Sequence, residues 1–296
     1  MGTWLAISIA PRDPEQGARL IGRAFDVARR CERLMSRHDP ASALNRVTMR
    51  AGRRPGMRER ELAGILRAAR RLSRRLGGAF DPTVAPLVEF WKRAEGRRAP
   101  SARSIERARA LVGIEAIRIA GDRVSLARRG ASLDLDGFGK GLALDRIAAE
   151  LRRGGCTSAF LNFGESSLLA LGRPPRGRWS VVLRHPFGGF AGTFTLSERA
   201  CSTSSTLCRR LRVRGRAAGD VVDPRTGQPV ARRAQVTVIA RSGAAAEAIS
   251  TALLVLGRAA VDDVARRMGA DVCWIDVRGV HTTRGFRLAP VSAERR

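Results

Sequence analysis

Four segments hold residue types that could do chemistry. The first, Ser132 to Gly141, reads Ser-Leu-Asp-Leu-Asp-Gly-Phe-Gly-Lys-Gly, a strand pattern that passes through glycines into a helix start. Free amides at a helix N-terminus favour an anion, glycines let backbone approach it closely, and Lys140 adds a point charge. The pattern is neither a Walker A loop nor the dinucleotide Gly-x-Gly-x-x-Gly. It suits a phosphate site, and it also suits a glycine turn with a surface lysine. The second segment is Ala244 to Leu256. Glu247, Ser250 and Thr251 cluster on one helix face, opposite Ile249, Ala252, Leu253 and Leu256. Leu254 shares their face, so this helix is expected to be largely buried. A buried carboxylate with two hydroxyls needs partners. A hard cation would be one; ordinary capping of backbone would be another. The third segment, Asp220-Val-Val-Asp-Pro-Arg-Thr-Gly227, is a tight turn by composition. The fourth, Phe160 to Glu165, is a strand running into a glycine turn.

The elements that must position these groups are legible from periodicity. A strand is expected within Met1–Ile9, and a helix through Leu20, Ala24, Cys31 and Met35 that stops before the loop Ser36 to Pro40. A second amphipathic helix runs from Leu62 to Leu76 and ends at Gly77-Gly78. Ser101 starts another. Ile117–Ile119 and Val124–Leu126 flank Gly121-Asp122, a hairpin signal. Leu133 and Leu135 alternate with Asp134 and Asp136 as in a strand, and a helix follows from Lys140 to Gly154. Strands are expected at 158–163, 179–183, 192–196, 236–240 and 272–277, with helices at about 244–256 and 258–268. Hairpins with interspersed helices predict an α+β fold with a mixed, mostly antiparallel sheet. No linker is long enough to divide the chain, so residues 1–296 are read as a single domain.

Composition narrows the classes further. Lys+Arg is 55 against Asp+Glu 27, a net charge of +28, yet only Lys92 and Lys140 are lysine. Tyrosine is absent and asparagine occurs only at Asn45 and Asn162, so much of the charge reflects a bias toward arginine. The arginines are scattered with little aromatic interleaving, which argues against nucleic acid as partner. The same bias makes a surviving lysine informative, because it marks a place where a compact ammonium is wanted. Five cysteines, with no Cys-x-x-Cys, do not form a disulfide framework or a zinc motif. No apolar run approaches the ~20 residues of a membrane span. The opening Met-Gly-Thr-Trp-Leu lacks a basic segment ahead of its apolar run, which predicts a cytoplasmic protein.

Taken in order along nearly the whole chain, these segments resemble the FAD:protein FMN transferases. Met1-Gly2-Thr3 is similar to that family's strand start, and Met35-Ser36-Arg37-His38 with Ser42 and Leu44-Asn45 to its first flavin loop. Gly78-Ala79-Phe80-Asp81-Pro82-Thr83, Asp134 through Lys140-Gly141 with Asp145, Asn162-Phe163-Gly164, Val221 through Gly227, and Thr251 with Leu253, Leu256 and Gly257 match its further motifs. The resemblance implies transfer of FMN from FAD to a Thr or Ser hydroxyl of an acceptor protein, with magnesium assisting and AMP leaving. It places Met1, His38, Ala79, Phe80, Asp81, Asp134, Lys140 and Val222 against FAD. It places Gly137 (by its carbonyl), Glu247, Ser250 and Thr251 on the magnesium, and Asp220 in the catalytic position. Related readings are an FAD-binding or FAD-hydrolysing protein without flavinylation, or a basic nucleic-acid-binding protein. Several positions depart from the family pattern. Asp220 stands for a histidine, Glu247 for an aspartate, Gly164-Glu165-Ser166 for Gly-Gly-Asp, and His38 for an aromatic residue. Members are commonly exported lipoproteins, so the resemblance implies a periplasmic location if the true start lies upstream.

Overall fold

The computed structural model describes residues 2–291 except 12, 97–99, 208–209 and 214–215, with backbone alone over the rest of 210–219. The first half of the chain runs β1 (Leu5–Ile9), α1 (Pro14–Met35), α2 (Ala43–Met49), β2 (Met57–Arg58) and α3 (Arg60–Arg75). It continues with α4 (Ala85–Arg93), α5 (Ala102–Arg109), β3 (Ile117–Ala120), β4 (Arg123–Leu126) and α6 (Gly139–Arg153). The second half is strand-rich: β5 (Ala159–Phe163), β6 (Ser167–Leu171), β7 (Trp179–Arg184), β8 (Phe190–Leu196) and β9 (Arg199–Ser205). There follow β10 (Arg210–Val213), β11 (Arg216–Gly219), β12 (Ala234–Ala240), α7 (Gly243–Leu256), α8 (Val261–Met268), β13 (Asp271–Asp276) and β14 (Gly279–Thr282).

Seven strands form one antiparallel sheet in the order β1-β5-β6-β9-β12-β13-β14. One face carries α6 and α7, with α1 packed outside α6. The other is covered by the β7–β8 hairpin, where Leu183 and Phe194 meet Leu168, Cys201 and Ile239 in a second, smaller core. Because both faces are covered, β6 and β12 are buried at every position. A third cluster joins α4 and α5 to the 222 loop through Leu87, Trp91, Ile105 and Val222, and the Trp91 indole N–H donates to the Gly227 carbonyl at 2.7 Å. The α+β architecture is the one expected.

Local chemistry sets the element ends. Asp13 and Ser42 cap α1 and α2, accepting from the Gln16 and Asn45 amides at 2.7 and 3.0 Å. Gly77 and Gly78 take φ of +60° and +72° just past α3, backbone that β-carbons disfavour. Three expectations differ. β1 begins at Leu5 rather than near Met1, which lies outside the described residues. Leu133 and Leu135 do point into the core, but residues 132–136 form an extended loop and not a strand. Among the described residues its backbone pairs with no strand, and Asp134 N–H donates instead to the Pro82 carbonyl at 2.8 Å. The helix expected at 258–268 starts with a tight 3₁₀ turn, Arg258–Ala260, before α8.

Candidate active site

A cleft of about 740 Å³ opens where six segments from distant parts of the sequence converge. They are Arg37 after α1, the 79–84 loop after α3, α4, the 134–137 loop before α6, the end of β9, and the 220–224 loop; Thr251 of α7 closes the wall. Of the residues singled out in the sequence, Ala79, Phe80, Asp81, Asp134, Gly137, Asp220, Val222 and Thr251 all line it.

The loops are held rigidly. Asp81, buried, accepts the Thr83 amide at 2.8 Å and the Thr83 hydroxyl at 2.6 Å, and Thr83 Oγ1 in turn accepts the Gly113 amide at 2.8 Å. Burial pushes the Asp81 carboxyl upward, while the Thr83 bonds oppose the rise. Phe80 stacks on Phe138 with ring centroids 6.2 Å apart, tying this loop to the start of α6. Asp134 is buried against Arg37, whose guanidinium also pairs with Glu89 and lies 3.9 Å from Asp136. Burial, then the like charge of Asp136, raises the Asp134 carboxyl, and Arg37 works against both. Gly137 lies against Thr251: a β-carbon there would stand 2.9 Å from the Thr251 hydroxyl.

Glu247, Lys140 and Ser250 sit behind the cleft wall rather than on it. Glu247 is buried and accepts three donors: the Gly141 amide at 2.9 Å, the Ser167 hydroxyl at 2.6 Å and the Lys140 ammonium at 3.5 Å. The glycine-rich turn therefore does face an anion, and in this structure that anion is the protein's own carboxylate. Burial raises the Glu247 carboxyl, and Lys140, Ser167 and Gly141 counter it. Ser250 Oγ lies 2.8 Å from Ser204 Oγ and 3.2 Å from Ser202 Oγ, and donates to the Glu247 carbonyl at 3.1 Å. A reciprocal contact locks the helix pair, because Asp145 of α6 accepts the Gly243 and Ala244 amides of α7 at 2.6 and 3.0 Å. A β-carbon on Gly141 would run into the Gly243 carbonyl. His38 is exposed and does not line the cleft, and Met1 lies outside the described residues.

Sequence reasoning missed Arg37, Lys92, Glu95 and Asp136, which also line the cleft. Lys92 was signalled by the argument applied to Lys140: in so arginine-rich a chain one lysine lines the cleft and the other pairs with Glu247 behind its wall. Among the described residues, the lining holds five carboxylates (Asp81, Glu95, Asp134, Asp136, Asp220) against the two cations Arg37 and Lys92.

Residues 1–274 match the ApbE family. The FAD:protein FMN transferase of Klebsiella pneumoniae strain 342 is 27% identical over 291 residues, covering 94% of this chain and 83% of that protein. The crystal structure of the Pseudomonas stutzeri flavinyl transferase ApbE, apo form, superposes with a TM-score of 0.81 at 27% identity, covering 95% of both chains. The ApbE protein of Thermotoga maritima, at 24% identity and a TM-score of 0.84, shares the fold over 96% of this chain and 94% of its own. Sheet, locked helix pair and cleft thus define an α+β enzyme of the architecture shared by those proteins. The chain belongs to the ApbE family.

Proposed function

We propose that this protein is an FAD:protein FMN transferase, joining FMN from FAD to a Thr or Ser hydroxyl of an acceptor protein. The observation that carries the reading is the gathering of eight motif residues, distant in sequence, on one cleft. In the reaction the acceptor oxygen forms a bond to the FMN phosphorus. The bond from that phosphorus to the oxygen bridging it to AMP breaks, AMP leaves with that oxygen, and the hydroxyl proton passes to a base. Phosphoryl transfer of this kind depends on positioning and charge neutralisation rather than on covalent help.

Among the described residues no three His, Cys, Asp or Glu side chains gather to hold a metal. The Gly137 carbonyl and the Thr251 hydroxyl belong to adjoining residues of the cleft wall and are oxygen donors of the kind a hard cation takes. The residues that would hold magnesium are Gly137 and Thr251 at the cleft wall, with Glu247 and Ser250 behind it, the Ser250 hydroxyl donating to the Glu247 main-chain carbonyl. Bound there, the ion would supply neutralisation of pyrophosphate charge. The chain's own groups do the rest. The Ala79-Phe80-Asp81 loop and Val222 frame the nucleotide, Asp134 holds Arg37 in the cleft, and Asp220 is the base that receives the hydroxyl proton.

Incubation with FAD, magnesium and threonine-bearing polypeptides, followed by mass spectrometry, tests the reading. The expected result is a polypeptide heavier by one FMN less water, with AMP in equal amount. Free FMN and AMP with no labelled polypeptide would replace transfer by hydrolysis; bound, unchanged FAD would leave a binding protein.

A further inference from the structure

A second cavity, of about 430 Å³, lies on the opposite face of the sheet, between it and the β7–β8 hairpin. β9 separates the two cavities by its alternation. Ser202 and Ser204 turn toward Ser250 on α7, while Cys201 and Thr203 turn into the second cavity. At the strand end the cavities meet, for Ser205 lines both. The hairpin bordering this cavity exposes Val182, Phe187 and Phe190, an unusual concentration of apolar side chains on so basic a surface. β8 is bridged at Thr193 to Ala289, whereas β7 pairs with β8 alone among the described residues and leaves its other edge open. An apolar open edge is one that natural proteins usually protect, and it can accept an added strand. The Arg184 end of this edge points to the cleft: Gln235 donates to the Arg184 carbonyl at 2.9 Å, and Gln235 is the register partner of Ser205. The rim carries a further mark. Glu165, in the turn between β5 and β6, holds a φ of +59°, backbone that costs a side-chain-bearing residue energy and tends to occur at functional sites.

The geometry points to this groove as the docking site of the acceptor polypeptide, an inference that rests on the transferase reading above. The acceptor lies extended along the open edge of β7, seats an apolar side chain in the second cavity, and passes Ser205 so that its hydroxyl enters the catalytic cleft. An extended chain advances about 3.3 Å per residue, so the seated side chain lies within roughly six residues of the modified Thr or Ser. The occupant is therefore a strand-forming segment with an apolar residue close to its hydroxyl. The unequal charges of the rim, Arg184 against Glu165, set its direction.

The test is an array of immobilised single-threonine peptides whose flanking residues are varied, treated with enzyme, FAD and magnesium and read by covalent flavin fluorescence. The parent enzyme is expected to label peptides with an apolar residue at one fixed offset from the threonine. For the best peptide, Val182→Lys and Phe190→Ser each raise KM roughly tenfold to a hundredfold, the scale of burying one apolar side chain. FAD affinity, read separately by flavin fluorescence, stays at the parent value in both. Met49→Ser, an exposed apolar position lining neither cavity, leaves KM unchanged. Labelling indifferent to flanking residues, or KM unmoved by Val182→Lys and Phe190→Ser, overturns the docking site while the transferase reading stands. A parent enzyme that binds FAD and labels no peptide overturns both. If sedimentation shows a dimer that Val182→Lys dissociates while KM holds, the edge belongs to a second copy of the chain and the inference fails.

Discussion

At residue scale, the cleft turns on a few charged groups whose neighbours decide what they can do. Lys92 lines the cleft and touches Glu89 only at 3.9 Å, so its ammonium is available to a phosphate, whereas Lys140 is engaged by Glu247. Lys92→Ala is expected to weaken FAD binding by about 1.5–3 kcal/mol, the worth of a charged hydrogen bond, in a fluorescence titration. An unchanged dissociation constant would remove Lys92 from the nucleotide site. In the proposed reaction Asp220 acts on rate rather than affinity. An imidazole takes up a proton at neutral pH more readily than a carboxylate does. Asp220→His should therefore speed flavin transfer in single-turnover kinetics, and Asp220→Asn should slow it. Equal rates for all three would show that proton removal does not pass through this position.

At element scale, the α6–α7 pair sets the cleft wall, and its lock is titratable. Burial pushes the Asp145 carboxyl up to about 6, against its two amide bonds to the start of α7. Unfolded, this group titrates near 3.8, so between the two values the folded chain keeps a proton that the unfolded chain has lost. Stability from this group therefore falls as pH rises from about 4 to 6 and is level above. In paired denaturation curves, Asp145→Asn should gain on the parent by about 3 kcal/mol between pH 4 and pH 7. A gap constant with pH would mean that folding does not shift the Asp145 carboxyl. The sequence showed α1, α3 and α7 because burial of one face, or of nearly all faces, leaves a helical period. It concealed β6 and β9. β6 is buried on both sides, so Ser-Leu-Leu-Ala-Leu carries no alternation. β9 is rich in small polar residues whose partners, such as Ser250, lie far along the chain. Leu133–Asp136 has the period of a strand without one, since alternation records which side chains face inward and not whether backbone finds a neighbour.

At the scale of the whole molecule, a +28 chain surrounds a cleft whose described lining residues carry more negative than positive charge. Composition showed the +28 to be largely a bias toward arginine; the sign of the cleft was illegible because its charges come from five segments. The two fields act at different ranges. On the proposed function, the body would attract the anionic nucleotide from a distance, and the carboxylates of the cleft would oppose its final seating. The association rate of FAD, followed by stopped-flow fluorescence with magnesium fixed, should fall several-fold between about 50 and 500 mM salt as the Debye length contracts. A rate independent of salt would show that the arginine-rich surface plays no part in capture.

The crossing of Gly141 and Gly243 bears on how mutational tolerance is read here. Backbone meets backbone at that point, and neither position has room for a β-carbon. A saturation library scored for growth would therefore report both codons as intolerant as any in the cleft, and so would a library scored only for soluble expression. The Gly-Lys-Gly motif would look uniformly catalytic in the first screen, and only the second would expose its last glycine as a hinge pin. Lys140 is the residue on which the two screens should part.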